Sequence, residues 1–166
     1  KKVTFTGETE TGRQILAMAA GDVTRVSLEL GGNCPLIVSD KCDLDAAVKD
    51  GVKRSFRNMG QICNSINRIY VHRNVVDEFV GKFVEGTKKL VIDDGLENPN
   101  ADLGPMATPE GPQRMLEHIE DALRKGAKVL CGGRKPEGEK YASGLFFEPT
   151  VLVNVDHSMR VMREET

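Results

Sequence analysis

The sequence contains no long apolar stretch. Its apolar runs fall well short of the ~20 residues that a helix needs to span a bilayer, and the first residues lack the apolar core of a signal peptide. We therefore expect a soluble protein without a membrane span, located in the cytoplasm.

Clustered basic residues are also scarce. The 23 Lys and Arg residues are matched by 25 Asp and Glu residues, and no basic cluster exceeds a pair such as Lys88-Lys89. A nucleic-acid surface needs Lys and Arg gathered on one face. With a net charge of −2, the chain is not expected to bind nucleic acid.

Neither the cysteines nor the histidines show the spacing of a cross-link or a metal site. No two cysteines form a Cys-x-x-Cys pair, and a chain of 166 residues does not need disulfides to fold. The histidines lie singly, without the ligand spacing of a zinc site. We expect reduced thiols at Cys34, Cys42, Cys63 and Cys131, and no metal ion at His72, His118 or His157.

The apolar residues alternate between strand and helix periodicity. Asp43 is a candidate N-cap, Thr108 before Pro109 predicts a second helix start, and Gly126 predicts where that helix ends. Strands alternating with helices predict an α/β fold, with a mainly parallel sheet and flanking helices. The predicted strands are 3–6, 26–30, 36–39, 68–72 and 128–130, with extended chain at 145–155, and the predicted helices are 13–20, 43 up to the turn at Cys63, 75–91 and 108–126.

A turn with glycine at both ends joins the first predicted strand to the first predicted helix. The segment Gly7-Glu8-Thr9-Glu10-Thr11-Gly12 places free N–H groups at a helix start, where they can bind a phosphate group. An ordinary strand-to-helix turn has a similar composition. The segment alone leaves both interpretations open.

Cys63 lies in Gly60-Gln61-Ile62-Cys63-Asn64, between a helical and a strand pattern. The thiolate is the reactive form of cysteine, and a polar turn gives it access to substrate and to backbone N–H groups. This position favours a catalytic thiol. A small buried side chain, the usual role of a free cysteine, is the alternative.

Glu29 stands near the end of the apolar alternation 26–30 and is followed by Gly31-Gly32. A strand that runs into two glycines can carry a carboxylate to the end of a sheet, where backbone and substrate can approach closely. From residue types alone, a solvent-facing strand glutamate is the favoured alternative.

Together, the two segments resemble the aldehyde dehydrogenase superfamily, because Cys63 in its Gly-Gln-x-Cys motif lies 34 residues after Glu29 in Glu29-Leu30-Gly31-Gly32. The chain is most similar to the branch that includes succinate-semialdehyde and lactaldehyde or glycolaldehyde dehydrogenases. The similarity continues through the segments 3–12, 67–71, 103–105, 126–133, 147–152 and 164–166.

The resemblance implies an NAD(P)-dependent enzyme that oxidises a small aldehyde to its carboxylic acid. In this family the cysteine that matches Cys63 forms a thioester, and the glutamate that matches Glu29 activates the water that hydrolyses it. Asn64 and Ser65 beside the nucleophile favour a small polar aldehyde. The residues that match contacts to NAD or NADP are Gly7, Gly12, Leu30 and Glu165.

The family's members are considerably longer than 166 residues, so the resemblance also implies a fragment. Residues 1–30 are expected to be the C-terminal part of a cofactor-binding domain, and residues 31–166 a catalytic domain truncated at its C-terminal end. The asparagine that helps to bind the oxyanion is expected upstream, and the parent enzyme is expected to be a homodimer or homotetramer. Glu8 stands where the family usually has serine.

Two other functions stay open at this point. The chain could lack catalysis of its own and be a folded fragment, or a structural or interaction module derived from such an enzyme. A cysteine hydrolase could use Cys63 as its nucleophile and Glu29 for deacylation.

Overall fold

The computed structural model describes all 166 residues and divides them into two units, Lys1–Gly32 and Asn33–Thr166. The assignment of residues 1–30 to a cofactor-binding domain and of residues 31–166 to a catalytic domain stays a prediction.

The first unit is a single βαβ motif. Strand β1 (Lys2–Gly7) leads through helix α1 (Thr9–Ala20) to strand β2 (Arg25–Leu30), which pairs with β1 in parallel. The register runs from Lys2 opposite Arg25 to Gly7 opposite Leu30. A parallel pair needs a long crossover, and α1 supplies it.

Gly12 allows α1 to lie close against β2. A Cβ atom added at this position would come within 2.7 Å of a methyl carbon of Leu30, which is closer than real side chains approach each other. Gly12 is the buried residue of α1. A larger residue at position 12 would therefore force the Leu30 side chain to shift.

The second unit begins with another parallel βαβ motif. Strand β3 (Cys34–Val38) is followed by helix α2 (Leu44–Phe56) and strand β4 (Ile66–Val71), and β4 pairs with β3. Helix α3 (Val76–Lys88) follows. The apolar residues buried between these elements are Val38, Val48, Val52, Phe79 and Phe83.

The rest of the second unit packs around helix α4 (Glu110–Arg124), which leads into strand β5 (Lys128–Cys131). Strand β6 (Val151–Val153) pairs with β5 in antiparallel orientation. Two smaller clusters form the core of this region, one of Ala122, Ala127, Met159 and Met162 and the other of Met106, Ile119 and Phe147.

The α/β architecture with parallel strand pairs and flanking helices is confirmed, and the β5–β6 pair departs from it. The segment between β5 and β6 contains only a short 3₁₀ turn, Glu139–Tyr141, and no long helix. Parallel strands require a crossover connection, usually a helix, so this segment returns the chain antiparallel.

Local patterns were sufficient at two helix boundaries and failed at a third. The Asp43 carboxylate accepts a hydrogen bond from the Ala46 N–H at 3.0 Å, so the predicted cap of α2 is confirmed. Gly126 ends α4 with a φ of +99°, as predicted. The prediction that Thr108 caps α4 is wrong, because Pro109 occupies the cap position and the helix begins at Glu110.

No helix in the chain is both long enough and apolar enough to cross a membrane. All four cysteines are free thiols.

Gly132 offers a test of this backbone. Its φ is +70°, and an added Cβ would collide with the Pro149 carbonyl oxygen, so Gly132→Ala should lower the free energy of unfolding by about 2 kcal/mol or more. The matched control is Gly81→Ala inside α3, where an added Cβ meets nothing within 4 Å. That change should raise the free energy of unfolding by roughly 0.5–1 kcal/mol.

Urea titrations of the two variants, followed by far-ultraviolet circular dichroism, measure both effects. Equal stability changes in the two variants would contradict the conformation described for Gly132.

Candidate active site

A left-handed turn precedes Cys63. Asn58, Met59 and Gly60 have φ angles of +54°, +58° and +75° in succession. Residues other than glycine rarely adopt this region, and such strain persists only where the surroundings hold it. The sequence pattern predicted that helix α2 would continue up to the Cys63 turn, and this is wrong: α2 ends at Phe56.

Two amide side chains hold this turn. Asn58 Nδ2 donates to the Gln61 carbonyl oxygen at 3.2 Å, and Gln61 Nε2 donates to the Asn58 carbonyl oxygen at 3.0 Å. Gln61 Oε1 also accepts a hydrogen bond from the Ala107 N–H at 2.9 Å. The turn is thus fastened both to itself and to the segment that leads into α4.

Cys63 lies exposed in the next turn, which is closed by a hydrogen bond from the Ser65 N–H to the Ile62 carbonyl oxygen at 2.9 Å. The Cys63 N–H has no acceptor within the chain. The Cys34 thiol lies 3.6 Å from the Cys63 carbonyl oxygen and donates to it. An accessible thiol beside an unused N–H is the arrangement that a nucleophile with an oxyanion donor requires.

Of the two residues that follow Cys63, only Ser65 differs from expectation. Asn64 is exposed, whereas Ser65 is 2% exposed and its hydroxyl has no hydrogen-bond partner. Ser65 therefore faces the interior, and of the two side chains on which the prediction of a polar aldehyde was based only Asn64 is exposed.

Asn33, at the start of the second unit, connects the Cys63 region to the C-terminal segment. Its Nδ2 donates to the Glu164 carbonyl oxygen at 2.8 Å and to the Val161 carbonyl oxygen at 3.4 Å. Its own carbonyl oxygen accepts two hydrogen bonds from the Arg68 guanidinium, at 2.6 and 3.1 Å. Asn33 thus ties β4 and the residues before Glu165 to the beginning of β3.

The Glu164 carboxylate is held by charge. Arg160 nitrogens lie 2.9–3.1 Å from its oxygens, and they hold the pKa of Glu164 below its usual value. Nε2 of His118 lies 3.3 Å from Glu164, although not in hydrogen-bonding geometry. Burial, with the Arg160 charge nearby, lowers the pKa of His118, so the neutral imidazole is favoured.

Glu165 follows directly and differs from Glu164 in having no partner. Its side chain is exposed, and its carboxylate makes no hydrogen bond or ion pair within the chain. On its other side, Thr166 Oγ1 accepts a hydrogen bond from Asn67 Nδ2 at 2.6 Å. The free carboxylate therefore lies between two anchored residues.

The other predicted site residues belong to the first unit. Glu29 lies on β2 and is exposed, so water can reach its carboxylate. Gly7 ends β1, and Gly12 lies in α1 with Leu30 packed over it. No side chain caps the first turn of α1.

A cavity of about 520 Å³ lies in the second unit, and its lining includes Met59 and Gly60 of the turn before Cys63. It runs along β4 and β6, each of which pairs with only one neighbouring strand, and Cys63 is not among its lining residues. Asn67 and Thr166 lie at this cavity. The exposed turn at Cys63, and not this cavity, is therefore the candidate site of chemistry.

Within the second unit, Cys34 contacts the Cys63 turn, and the adjacent residue Asn33 contacts the segment before Glu165. Sequence patterns did not identify Asn33, Asn67, Arg68, Arg160 or His118 as parts of this arrangement. Asn33, Asn67 and Arg68 lay within the segments that carried the resemblance, which was the only available signal.

All of residues 1–166 match the model of the aldehyde dehydrogenase family. The chain belongs to this family. The predicted recognition is thereby confirmed.

The aldehyde dehydrogenase relatives include enzymes for semialdehydes. The chain is 46% identical over 166 residues to the succinate-semialdehyde dehydrogenase [NADP(+)] of Escherichia coli (strain K12), and 48% identical over 166 residues to the glutarate-semialdehyde dehydrogenase of Pseudomonas aeruginosa (strain PAO1). Each match covers 100% of this chain and 33% of the relative. The predicted similarity to succinate-semialdehyde dehydrogenases is therefore confirmed.

The fold is similar to that of solved aldehyde dehydrogenases. The succinate-semialdehyde dehydrogenase from Burkholderia pseudomallei superposes with a TM-score of 0.90 at 42% identity, covering 99% of this chain and 33% of that one. The chain thus spans about a third of the length of the relatives that it matches.

Alkylation distinguishes the thiols. Cys63 should react first with limiting iodoacetamide near neutral pH, because it is exposed in a polar turn, and Cys131 should react last, because burial raises its pKa and lowers its thiolate content. Peptide mapping of the partly labelled protein measures the order. Cys42, which is also exposed, serves as the internal control for accessibility. Preferential labelling of Cys131 or Cys34 would remove the support for a prepared thiol at Cys63.

Proposed function

We propose that this chain is part of an NAD(P)-dependent aldehyde dehydrogenase that oxidises a small semialdehyde to the dicarboxylic acid through a thioester on Cys63. The observation that carries the proposal is the exposed Cys63 thiol in its braced turn, in a chain of this family. Because the chain spans a third of its relatives, the complete enzyme is proposed to contain further residues that belong to the site.

The first step is attack by the Cys63 thiolate on the aldehyde carbon. A C–S bond forms, and the carbonyl π electrons move to oxygen to give a thiohemiacetal anion. The unused Cys63 N–H can donate a hydrogen bond to this oxygen. The family's second donor, an asparagine side chain, is expected in the part of the enzyme that precedes these residues.

Each unit by itself carries residues with the chemistry to contact a dinucleotide. In the first unit, Leu30 packs over Gly12 and no side-chain hydrogen bond caps the first turn of α1, and in the second unit the Glu165 carboxylate is free to accept hydrogen bonds from ribose hydroxyls. Gly7, Gly12, Leu30 and Glu165 are therefore proposed as the contacts. When bound, NAD or NADP supplies the acceptor for the hydride that leaves the aldehyde carbon.

Release of the acid requires a base. The Glu29 carboxylate is proposed to take a proton from water, which then attacks the thioester carbon and displaces the Cys63 thiolate. The exposure of Glu29 is compatible with this role, because its carboxylate can reach solvent.

The proposed substrate is a short aldehyde that carries a carboxylate at its other end. The support is that relatives at 46% and 48% identity are named for succinate semialdehyde and glutarate semialdehyde. The exposed Asn64 amide beside the nucleophile agrees with a polar substrate.

Substitution of the two carboxylates separates their roles. In the complete enzyme, Glu29→Gln removes the base but leaves the nucleophile, so turnover should fall roughly 100-fold or more while a burst of reduced nucleotide survives. Glu165→Gln weakens nucleotide positioning and should suppress the burst itself. Rapid-mixing absorbance at the wavelength of the reduced nucleotide measures both.

Glu97→Gln is a matched control, because Glu97 is an exposed residue of the 93–105 segment. It should behave like the unmodified enzyme. A burst that is lost in Glu29→Gln and retained in Glu165→Gln would mean that the two roles are assigned the wrong way round.

A further inference from the structure

We infer that Asn33 and Asn67 are positioning residues that hold the backbone on both sides of Glu165, so that its carboxylate is presented to the nucleotide. The inference rests on the proposed function, since it concerns how the proposed nucleotide contact is held. It assigns a role to two asparagines that do not themselves touch the reacting atoms.

The first support lies before Glu165. Asn33 Nδ2 donates to the carbonyl oxygen of Glu164 at 2.8 Å, and a second, longer contact reaches Val161 at 3.4 Å. Asn33 is in turn fixed by Arg68, whose guanidinium donates twice to the Asn33 carbonyl oxygen. An asparagine held at its backbone and donating from its amide is a rigid support for the peptide group that precedes Glu165.

The other polar atom of the Asn33 amide group, Oδ1, is buried. It makes no hydrogen bond in the chain, although buried polar atoms are normally paired. The unpaired oxygen costs free energy, whereas the amide nitrogen of the same side chain is hydrogen-bonded to the C-terminal segment. An apolar residue in its place would lack the donor, which points to positioning as the reason for asparagine here.

The second support lies after Glu165. Asn67 Nδ2 donates to Thr166 Oγ1 at 2.6 Å, and both side chains are partly buried. Asn67 and Arg68 are consecutive residues of β4, so one strand supports both sides of Glu165, through Arg68 and Asn33 before it and through Asn67 after it.

A third contact fixes the side chain of the preceding residue. Arg160 pairs with the Glu164 carboxylate at 2.9–3.1 Å, so Glu164 is fully engaged within the chain. Of the two consecutive glutamates, only Glu165 is left to bind a ligand. Fixing the neighbours in advance reduces the conformational entropy that a flexible segment would lose on binding.

The decisive variants use Thr166, which is partly buried. Replacement by valine removes its hydroxyl group while the side chain keeps nearly the same size. Thr166→Val removes the acceptor for Asn67, and Thr166→Ser keeps it. Asn33→Asp removes the donor to Glu164, with Asn100→Asp at an exposed position as the control for the added charge. Glu165→Gln reports on the proposed contact itself.

The readouts are the Kd of NADPH and of NADH, from fluorescence titration of the complete enzyme, and the KM values of nucleotide and aldehyde. Glu165→Gln should weaken nucleotide binding roughly 10-fold, and Thr166→Val and Asn33→Asp about 2- to 10-fold, the factor that corresponds to one ordinary hydrogen bond. Thr166→Ser and Asn100→Asp should bind like the unmodified enzyme. The KM of the aldehyde should stay unchanged, which a general loss of structure would not allow.

The outcomes separate this inference from the function on which it rests. If Glu165→Gln weakens binding while Thr166→Val and Asn33→Asp bind normally, the positioning role is refuted and the nucleotide contact stands. If Glu165→Gln itself binds normally, the proposed contact fails and the positioning role with it. If Asn33→Asp does not fold, the comparison of Thr166→Val with Thr166→Ser decides.

Discussion

The second unit depends on the hydrogen bonds that start from two consecutive residues, Asn33 and Cys34. The Asn33 amide supports the backbone before Glu165, its carbonyl oxygen is bound by Arg68, and the Cys34 thiol contacts the Cys63 carbonyl oxygen. Residues separated by up to 131 positions in the sequence are thereby brought to the start of one strand. Cys34 thus contacts the proposed nucleophile, Cys63, and Asn33 contacts the residue that precedes the proposed nucleotide-binding carboxylate of Glu165.

The backbone before Cys63 provides the second constraint. Three successive left-handed residues, 58–60, cost free energy in the folded chain, and the paired amides of Asn58 and Gln61 offset part of that cost. This turn stops α2 at Phe56 and redirects the chain, so Cys63 emerges at the surface and is not buried on a helix face. Exposure of the thiol is thus a consequence of strain that the surrounding residues hold in place.

Local patterns predicted the elements whose causes are local. Asp43 caps α2 because its side chain reaches an N–H three residues away, and Gly126 ends α4 because glycine tolerates a positive φ. The left-handed turn, the burial of Ser65 and the contacts of Asn33 depend on residues far apart in the sequence, so no local period indicates them. The antiparallel β5–β6 pair was not predicted, because the extended chain expected at 145–155 carries no local signal for the strand with which it pairs. Residue types alone suggested Cys63 and Glu29 but left each with an ordinary structural alternative, which the family resemblance disfavoured, and Glu165 came from the resemblance alone.

The central claim is that Cys63, and none of the other three thiols, carries the acyl group. Its most direct test is to mix the complete enzyme with NADP and succinate semialdehyde, quench the reaction with acid during turnover, and map the peptides by mass spectrometry. A succinyl group is expected on the peptide that contains Cys63, and none is expected on that peptide in Cys63→Ser. An acyl group on Cys34, Cys42 or Cys131, or turnover that continues in Cys63→Ser, would contradict it.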